Sequence, residues 1–196
     1  VAGQYVTVRT SVPSEQYLMN RQYTITQSTP DELRISVKLE SDSVPLGVVS
    51  TFLHNAEIGT VVDMSSPAGV FTLDTTDAPV LFIAGGVGVT PLKAMLQSMA
   101  DRKASFLQCA RNEKIAAFTE QIQTKVAELG GTYKASYSKT DGYITREVVE
   151  GIFEDGMQVY VCGPTAFMET VLGFLKEIGV NAENVHYEFF GPAIAY

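Results

Sequence analysis

From Val80 to the end of the chain, short apolar strands alternate with amphipathic helices, and few folds satisfy that pattern. VLFIAGG is apolar throughout, as expected of a strand buried on both faces of a parallel sheet. PLKAMLQSMAD follows, with Leu92, Met95, Leu96 and Met99 at helical spacing. ASFLQCAR, TYKASYS, MQVYVCG and VHYEFFG read as further strands. AAFTEQIQTKVAEL, ITREVVEGIF and AFMETVLGFLKEIG read as the helices between them. Strands that alternate with helices form βαβ units. A five-stranded parallel α/β domain is therefore predicted over residues 77–196.

Residues 1–76 follow a different pattern. VAGQYVTVRT, QYTITQS, LRISVKL and TVVDMSSP are β-rich and are separated by clusters of Pro, Gly, Asp and Ser. Only VVSTFLHNA, Val48 to Ala56, has the makings of a short helix. Short strands at this spacing predict an antiparallel barrel or sandwich. The boundary is expected near Asp74 to Pro79. With 196 residues, 45% of them hydrophobic, the chain can bury two small cores.

Composition then narrows the chemistry. The net charge is −8 and no Lys/Arg run occurs, so no nucleic-acid surface is expected. No apolar run reaches the length of a membrane span, and the N-terminus lacks the features of a signal peptide. Cys109 and Cys162 lie far apart and match no zinc or iron–sulfur spacing. With no disulfide indicated, a reducing, cytoplasmic setting is expected. The two histidines, His54 and His186, form no triad pattern, and no metal site is expected. Chemistry carried by bound cofactors fits such a chain better than chemistry of its own side chains.

Five stretches could bind cofactors. In AGGVGVTPL, a strand turns into a helix through Gly86, Val87, Gly88 and Val89, with Thr90 expected as N-cap and Pro91 at the first helical position. Such a turn leaves free N–H groups that attract phosphate. VCGPTAFM repeats that geometry through Cys162, Gly163 and Pro164, so both turns should line one crevice at the C-terminal edge of the sheet. Cys162, at its lip, would contact a flat ring or serve as a small hydrophobe. In RQYTIT, alternation puts Arg21 and Tyr23 on one face, a cation beside a ring, and Gln22 and Thr24 on the other. GVVS, comprising Gly47, Val48, Val49 and Ser50, enters a short helix, a second place for a pyrophosphate; His54 in that helix reads as structural. HYEFFGP carries two adjacent aromatics beside Glu188. Arg111, just past the second strand of the α/β half, suits either a 2′-phosphate or solvent. No acidic residue ends that strand to grip a ribose diol, which leans slightly against a dinucleotide lacking that phosphate.

Taken in order, GQY, RQYT, GVVS, GGVGVTP and CGP resemble the ferredoxin–NADP reductase-like flavoproteins. RQYT, STFLHN, PAGVF, GVGVTP, VCGPTAFM and HYEFFGP resemble in particular the reductase portion of flavohaemoglobins, the nitric oxide dioxygenases. The likeness implies an FAD-binding barrel followed by an NAD(P)-binding α/β domain. It also implies an enzyme that moves a hydride from NAD(P)H to FAD and single electrons onward to a haem. By that resemblance Arg21 meets the FAD pyrophosphate, Tyr23 packs on the isoalloxazine, Thr24 bonds near its reactive edge and Tyr5 contacts FAD from the next strand. Gly47 to Ser50 hold the pyrophosphate from the other side. Gly86 to Pro91 bind NAD(P)H, and Cys162, Gly163 and Pro164 lie near the nicotinamide. Phe189, Phe190, Gly191 and Pro192 return to the flavin, and Glu188 tunes the redox centre. In the family a strand precedes GQY, and flavohaemoglobins carry a globin domain upstream. A barrel lacking its first strand is therefore expected here, with the haem globin upstream or separate. A globin-free ferredoxin, ferric or flavin reductase, or a nucleotide-binding module without turnover, are the alternatives.

Overall fold

The structure is a computed structural model that describes residues 1–10, 19–39 and 47–190. By internal packing the chain divides into two compact units, Val1–Thr72 and Leu73–Tyr196.

In the first unit, β1 (Tyr5–Thr10), β2 (Met19–Ser28), β3 (Leu33–Ile35) and β4 (Asp63–Met64) form an antiparallel half-barrel sheet in the order β3-β2-β1-β4. Its interior face carries Val6 and Val8, which are almost completely buried. LRISVKL was expected to be strand throughout, but pairing stops at Ile35. The β2–β3 pairing carries a bulge between Ile25 and Gln27, and beyond its end His54 Nε2 bonds the Val37 carbonyl at 2.8 Å. His54 lies on helix α1 (Val48–Asn55), so it ties that helix to the segment after β3. His54 thus takes the structural role expected of it.

The second unit contains β5 (Val80–Gly85), α2 (Val89–Ser98), β6 (Ala104–Ala110), α3 (Thr119–Glu128), β7 (Tyr133–Tyr137), α4 (Arg146–Glu150), β8 (Gln158–Gly163), α5 (Thr165–Glu177) and β9 (Val185–Phe189). All five strands pair in parallel, in the order β7-β6-β5-β8-β9. This is the predicted α/β sheet. Alternation divides its core. Leu81, Ile83, Leu107, Val159 and Val161 pack with Val149 of α4 and with Met168, Val171 and Leu175 of α5. Phe82 meets Phe106 and Tyr160 on the other face, each at 5.7 Å between centroids with the rings tilted by 37° and 43°, and α2 and α3 cover that face. Each such side chain contributes about 1.5–3 kcal/mol by leaving water.

Two helix starts differ from expectation. α2 begins at Val89, so Thr90 is not the N-cap and Pro91 is the third helical residue. The cause is a 3₁₀ turn at Gly86–Gly88 that runs straight into the helix. The Val89 N–H donates to the Gly86 and Val87 carbonyls, and the Thr90 hydroxyl donates back to the Val87 carbonyl at 2.9 Å. Pro91 fits there because a helix's first-turn N–H groups have no intrahelical acceptor. α3 begins at Thr119 instead of Ala116, because Phe118 takes a left-handed φ of 65° that no helix continues through.

The segment before β5 belongs to the second unit. Arg102 pairs with Asp74 at 2.6 Å and also donates to Thr76 and to the Ala78 carbonyl. The Tyr160 hydroxyl accepts the Asp74 N–H at 2.8 Å.

Candidate nucleotide-binding sites

The strand order of the second unit reverses between β5 and β8. At such a switch point the connections leave in opposite directions and open a crevice beyond the C-terminal ends of the strands. Both glycine turns predicted from the sequence stand there: Gly85 to Pro91 follows β5, and Gly163 to Thr165 follows β8. They touch each other. A Cβ on Gly88 would stand 2.7 Å from the Gly163 nitrogen and closer still to the Cys162 carbonyl, so that position tolerates only glycine. Gly86 has φ of +54° and no atom within 4 Å of the Cβ position, so its backbone is bare toward the open side. Two helices, α2 and α5, start at this edge, the second with Pro164 as N-cap. The first-turn N–H groups of α5 and the dipoles of both helices favour an anion by about 0.3–1 kcal/mol each. The donor set and the bare backbone fit a dinucleotide phosphate.

Cys162 is fully buried, which makes it a packing residue in this structure, and burial and Glu188 push its thiol well up. Glu188 sits opposite Cys162 in register on β9, half-buried, and burial raises its carboxyl above the ordinary range. Phe189 projects to the other face and meets Tyr187 edge to face at 5.6 Å between centroids. Phe190 is partly buried and its N–H donates to the Gly163 carbonyl at 3.1 Å, which ties the tail to the second turn. Gly191 and Pro192 lie outside the described residues. Arg111 is exposed just past β6.

In the first unit, β1–β2 register sets Arg21 opposite Val8 and Tyr23 opposite Val6, so Arg21 and Tyr23 share a face as expected. Gln22 and Thr24 share the other face with Thr7 and Tyr5. Arg21 and Gln22 are exposed, Tyr5 and Tyr23 are half-buried, and Thr24 is buried. Burial raises the Tyr23 hydroxyl, partly offset by the Arg21 charge nearby. Gly47 precedes α1 as its N-cap; Val48 is half-buried and Val49 buried in its first turn. Ser50, also buried, donates to the Gly47 carbonyl at 2.8 Å.

The FAD/NAD-binding domain of nitric oxide dioxygenase from Vibrio cholerae superposes with a TM-score of 0.88 at 32% identity, over 97% of this chain and 85% of that one. The chain belongs to the flavohaemoglobin reductase-domain family. Residues 1–73 match the oxidoreductase FAD-binding domain and residues 82–172 the oxidoreductase NAD-binding domain. It is thus an NAD(P)H-dependent oxidoreductase with FAD- and NAD-binding domains. A flavohemoprotein from Oceanobacillus iheyensis is 36% identical over 98% of this chain and 52% of its own length. A flavohaemoglobin from Malassezia yamatoensis, solved with FAD and haem, has a TM-score of 0.83 at 27% identity, over 97% of this chain and 51% of that one. The chain spans about half the length of the curated relatives it matches. Among its described helices none is long and apolar enough to cross a membrane.

Sequence reasoning passed over one residue that packs on both glycine turns. Phe167, on the first turn of α5, lies against both Gly85 and Gly163. Its signal was present in the sequence, an aromatic four residues after a glycine that ends an apolar strand.

Proposed function

We propose that this chain is the reductase portion of a flavohaemoglobin-type nitric oxide dioxygenase, with a haem globin as electron acceptor. Bound FAD supplies the redox chemistry, taking a hydride from NAD(P)H and releasing its electrons singly. The chain's own residues bind, orient and shield. Arg21, exposed and beside Tyr23, supplies charge-assisted hydrogen bonds to the FAD pyrophosphate, worth about 1.5–3 kcal/mol. Tyr23 offers its ring to the isoalloxazine, and Tyr5 and Thr24 bind FAD from the neighbouring face. Gly47 to Ser50 offer the N–H groups of the first turn of α1 to the same pyrophosphate. Gly86 to Pro91 take the NAD(P)H phosphates, and Cys162 to Pro164 border the nicotinamide. Phe189, Phe190, Gly191 and Pro192 cover the flavin. Glu188, half-buried and with its carboxyl pKa raised by burial, tunes the redox centre.

The observation that carries this reading is the pair of mutually touching glycine turns at the strand-order switch, in a chain matched over 97% of its length by a flavohaemoglobin-like FAD/NAD-binding domain. The test is direct. The chain purified with FAD should be yellow and should bleach under anaerobic NADH or NADPH. A ferric haem globin added afterwards should be reduced. A chain that takes up no FAD, or whose bound FAD no nicotinamide reduces, would overturn the reading. Reduction of free flavin or ferric iron, but not of a haem globin, would favour the globin-free reductase.

A further inference from the structure

Alternate residues of β5 and β8 line the α4–α5 face of the sheet: Leu81 and Ile83 on one strand, Val159 and Val161 on the other. The next position of each strand on that face is glycine, Gly85 and Gly163. A single ring fills the space those two side chains would occupy. A Cβ on Gly85 would meet Cε1 and Cγ of Phe167 at 2.8 Å, and a Cβ on Gly163 would meet Cδ1 of the same ring at 2.6 Å. The Gly163 position would also come within 3.1 Å of the Gly85 Cα, so the two strand ends touch beneath the ring. On the opposite face, Gly88 rests on the Cys162 carbonyl and the Gly163 nitrogen. The two turns are thus clamped from both sides, by backbone contact on one and by Phe167 on the other. Phe167 sits in the first turn of α5, the helix that the second turn starts, and also packs on the α4–α5 core.

We infer that Phe167 is a positioning residue of the nicotinamide site: one ring that sets the spacing of the two glycine turns. It acts through the turns and is not a contact to the reacting atoms. This rests on the proposal that the crevice takes NAD(P)H. Truncation to alanine would open space under both turns at once, where packing is otherwise as dense as in a crystal. A turn displaced by about 1 Å costs a transfer reaction roughly 100-fold.

The experiment compares Phe167→Ala, Phe167→Leu and Val171→Ala, the last a buried residue of the same helix one turn further on. The first readout needs no cofactor. Amide hydrogen exchange in Phe167→Ala should rise in both 85–91 and 162–165, and in Val171→Ala in neither. The second readout is stopped-flow flavin reduction by NADH and by NADPH in the FAD-loaded chain. The limiting rate should fall about 10- to 100-fold in Phe167→Ala, recover in part in Phe167→Leu and hold in Val171→Ala. FAD affinity should be unchanged in all three. Should Phe167→Ala prove unstable, Phe167→Leu alone should still raise exchange at both turns. Equal exchange and equal rates in the Phe167 and Val171 variants would overturn the inference. If wild type itself is not reduced by either nicotinamide, the functional reading fails, and the exchange result still decides the role of Phe167.

Discussion

Replacing Gly88 by alanine adds one methyl group where the two glycine turns meet. That carbon would lie 2.7 Å from the Gly163 nitrogen, whereas ordinary contact begins at 3.4 Å, and it would lie closer still to the Cys162 carbonyl. All three atoms are backbone at the end of a central strand, so no rotamer change relieves the overlap. Either the turn lifts or β8 moves away from it, by on the order of 1 Å. Overpacking of that kind costs roughly 1–3 kcal/mol. At about 2–4 °C per kcal/mol for a chain of this length, the midpoint of the α/β unit should fall by roughly 2–12 °C. The functional cost should exceed the thermal one, because a turn misplaced by ~1 Å lowers hydride transfer by up to ~100-fold. Gly173→Ala, in the same unit, supplies the opposite sign. It lies within α5 with no atom within 4 Å of its Cβ position, so alanine should stabilise by about 0.5–1 kcal/mol and leave flavin reduction alone. Both variants are read by calorimetry and by stopped-flow reduction of the bound flavin. A Gly88→Ala protein with wild-type midpoint and rate would refute the reasoning.

Arg21→Ala should weaken FAD binding by about 10- to 150-fold, from the loss of 1.5–3 kcal/mol of charge-assisted bonding; a fluorescence titration of apoprotein that shows less than a twofold change would rule the role out. Glu188→Gln should raise the unfolding midpoint at neutral pH. Burial raises the Glu188 pKa in the folded state, so its contribution is fully present below the ordinary carboxylate pKa of 4.5 and is lost as pH rises through the raised value. The advantage of glutamine should therefore vanish in melts below that pH, and a constant offset across the range would contradict it. Arg102→Met should cost about 3 kcal/mol, because it removes the cation from an ion pair whose side chains are only 12% and 19% exposed and leaves the Asp74 carboxylate only the Thr76 and Tyr160 hydroxyls. Changing Asp74 to Leu in the same protein should recover part of that loss, and equal melts for the single and double variants would count against it.

The βαβ order was legible because strands buried on both faces must be apolar throughout, and VLFIAGG and MQVYVCG carry that signature residue by residue. Glycine–proline turns were legible because only those residues suit a sharp strand-to-helix corner. Helix starts were less so. A cap is chosen by which carbonyl meets which N–H, and the 3₁₀ turn at Gly86–Gly88 moved the start ahead of Thr90. The extent of β3 was not legible either: pairing stops at Ile35, and two residues on, the Val37 carbonyl accepts from His54, well downstream in the sequence.

Local pattern alone therefore determined that the chain has an antiparallel β half and a parallel α/β half, and that it carries two glycine turns at strand-to-helix corners and a cation beside a ring on one strand. Such features depend on periods of two and 3.6 residues and on backbone chemistry, which neighbouring residues settle among themselves. Only the tertiary structure decided that β5 and β8 are adjacent, that their turns touch at Gly88 and Cys162, and that Phe167 replaces two missing side chains with one ring. Those contacts join segments distant in sequence, and the packing of the whole sheet selects them.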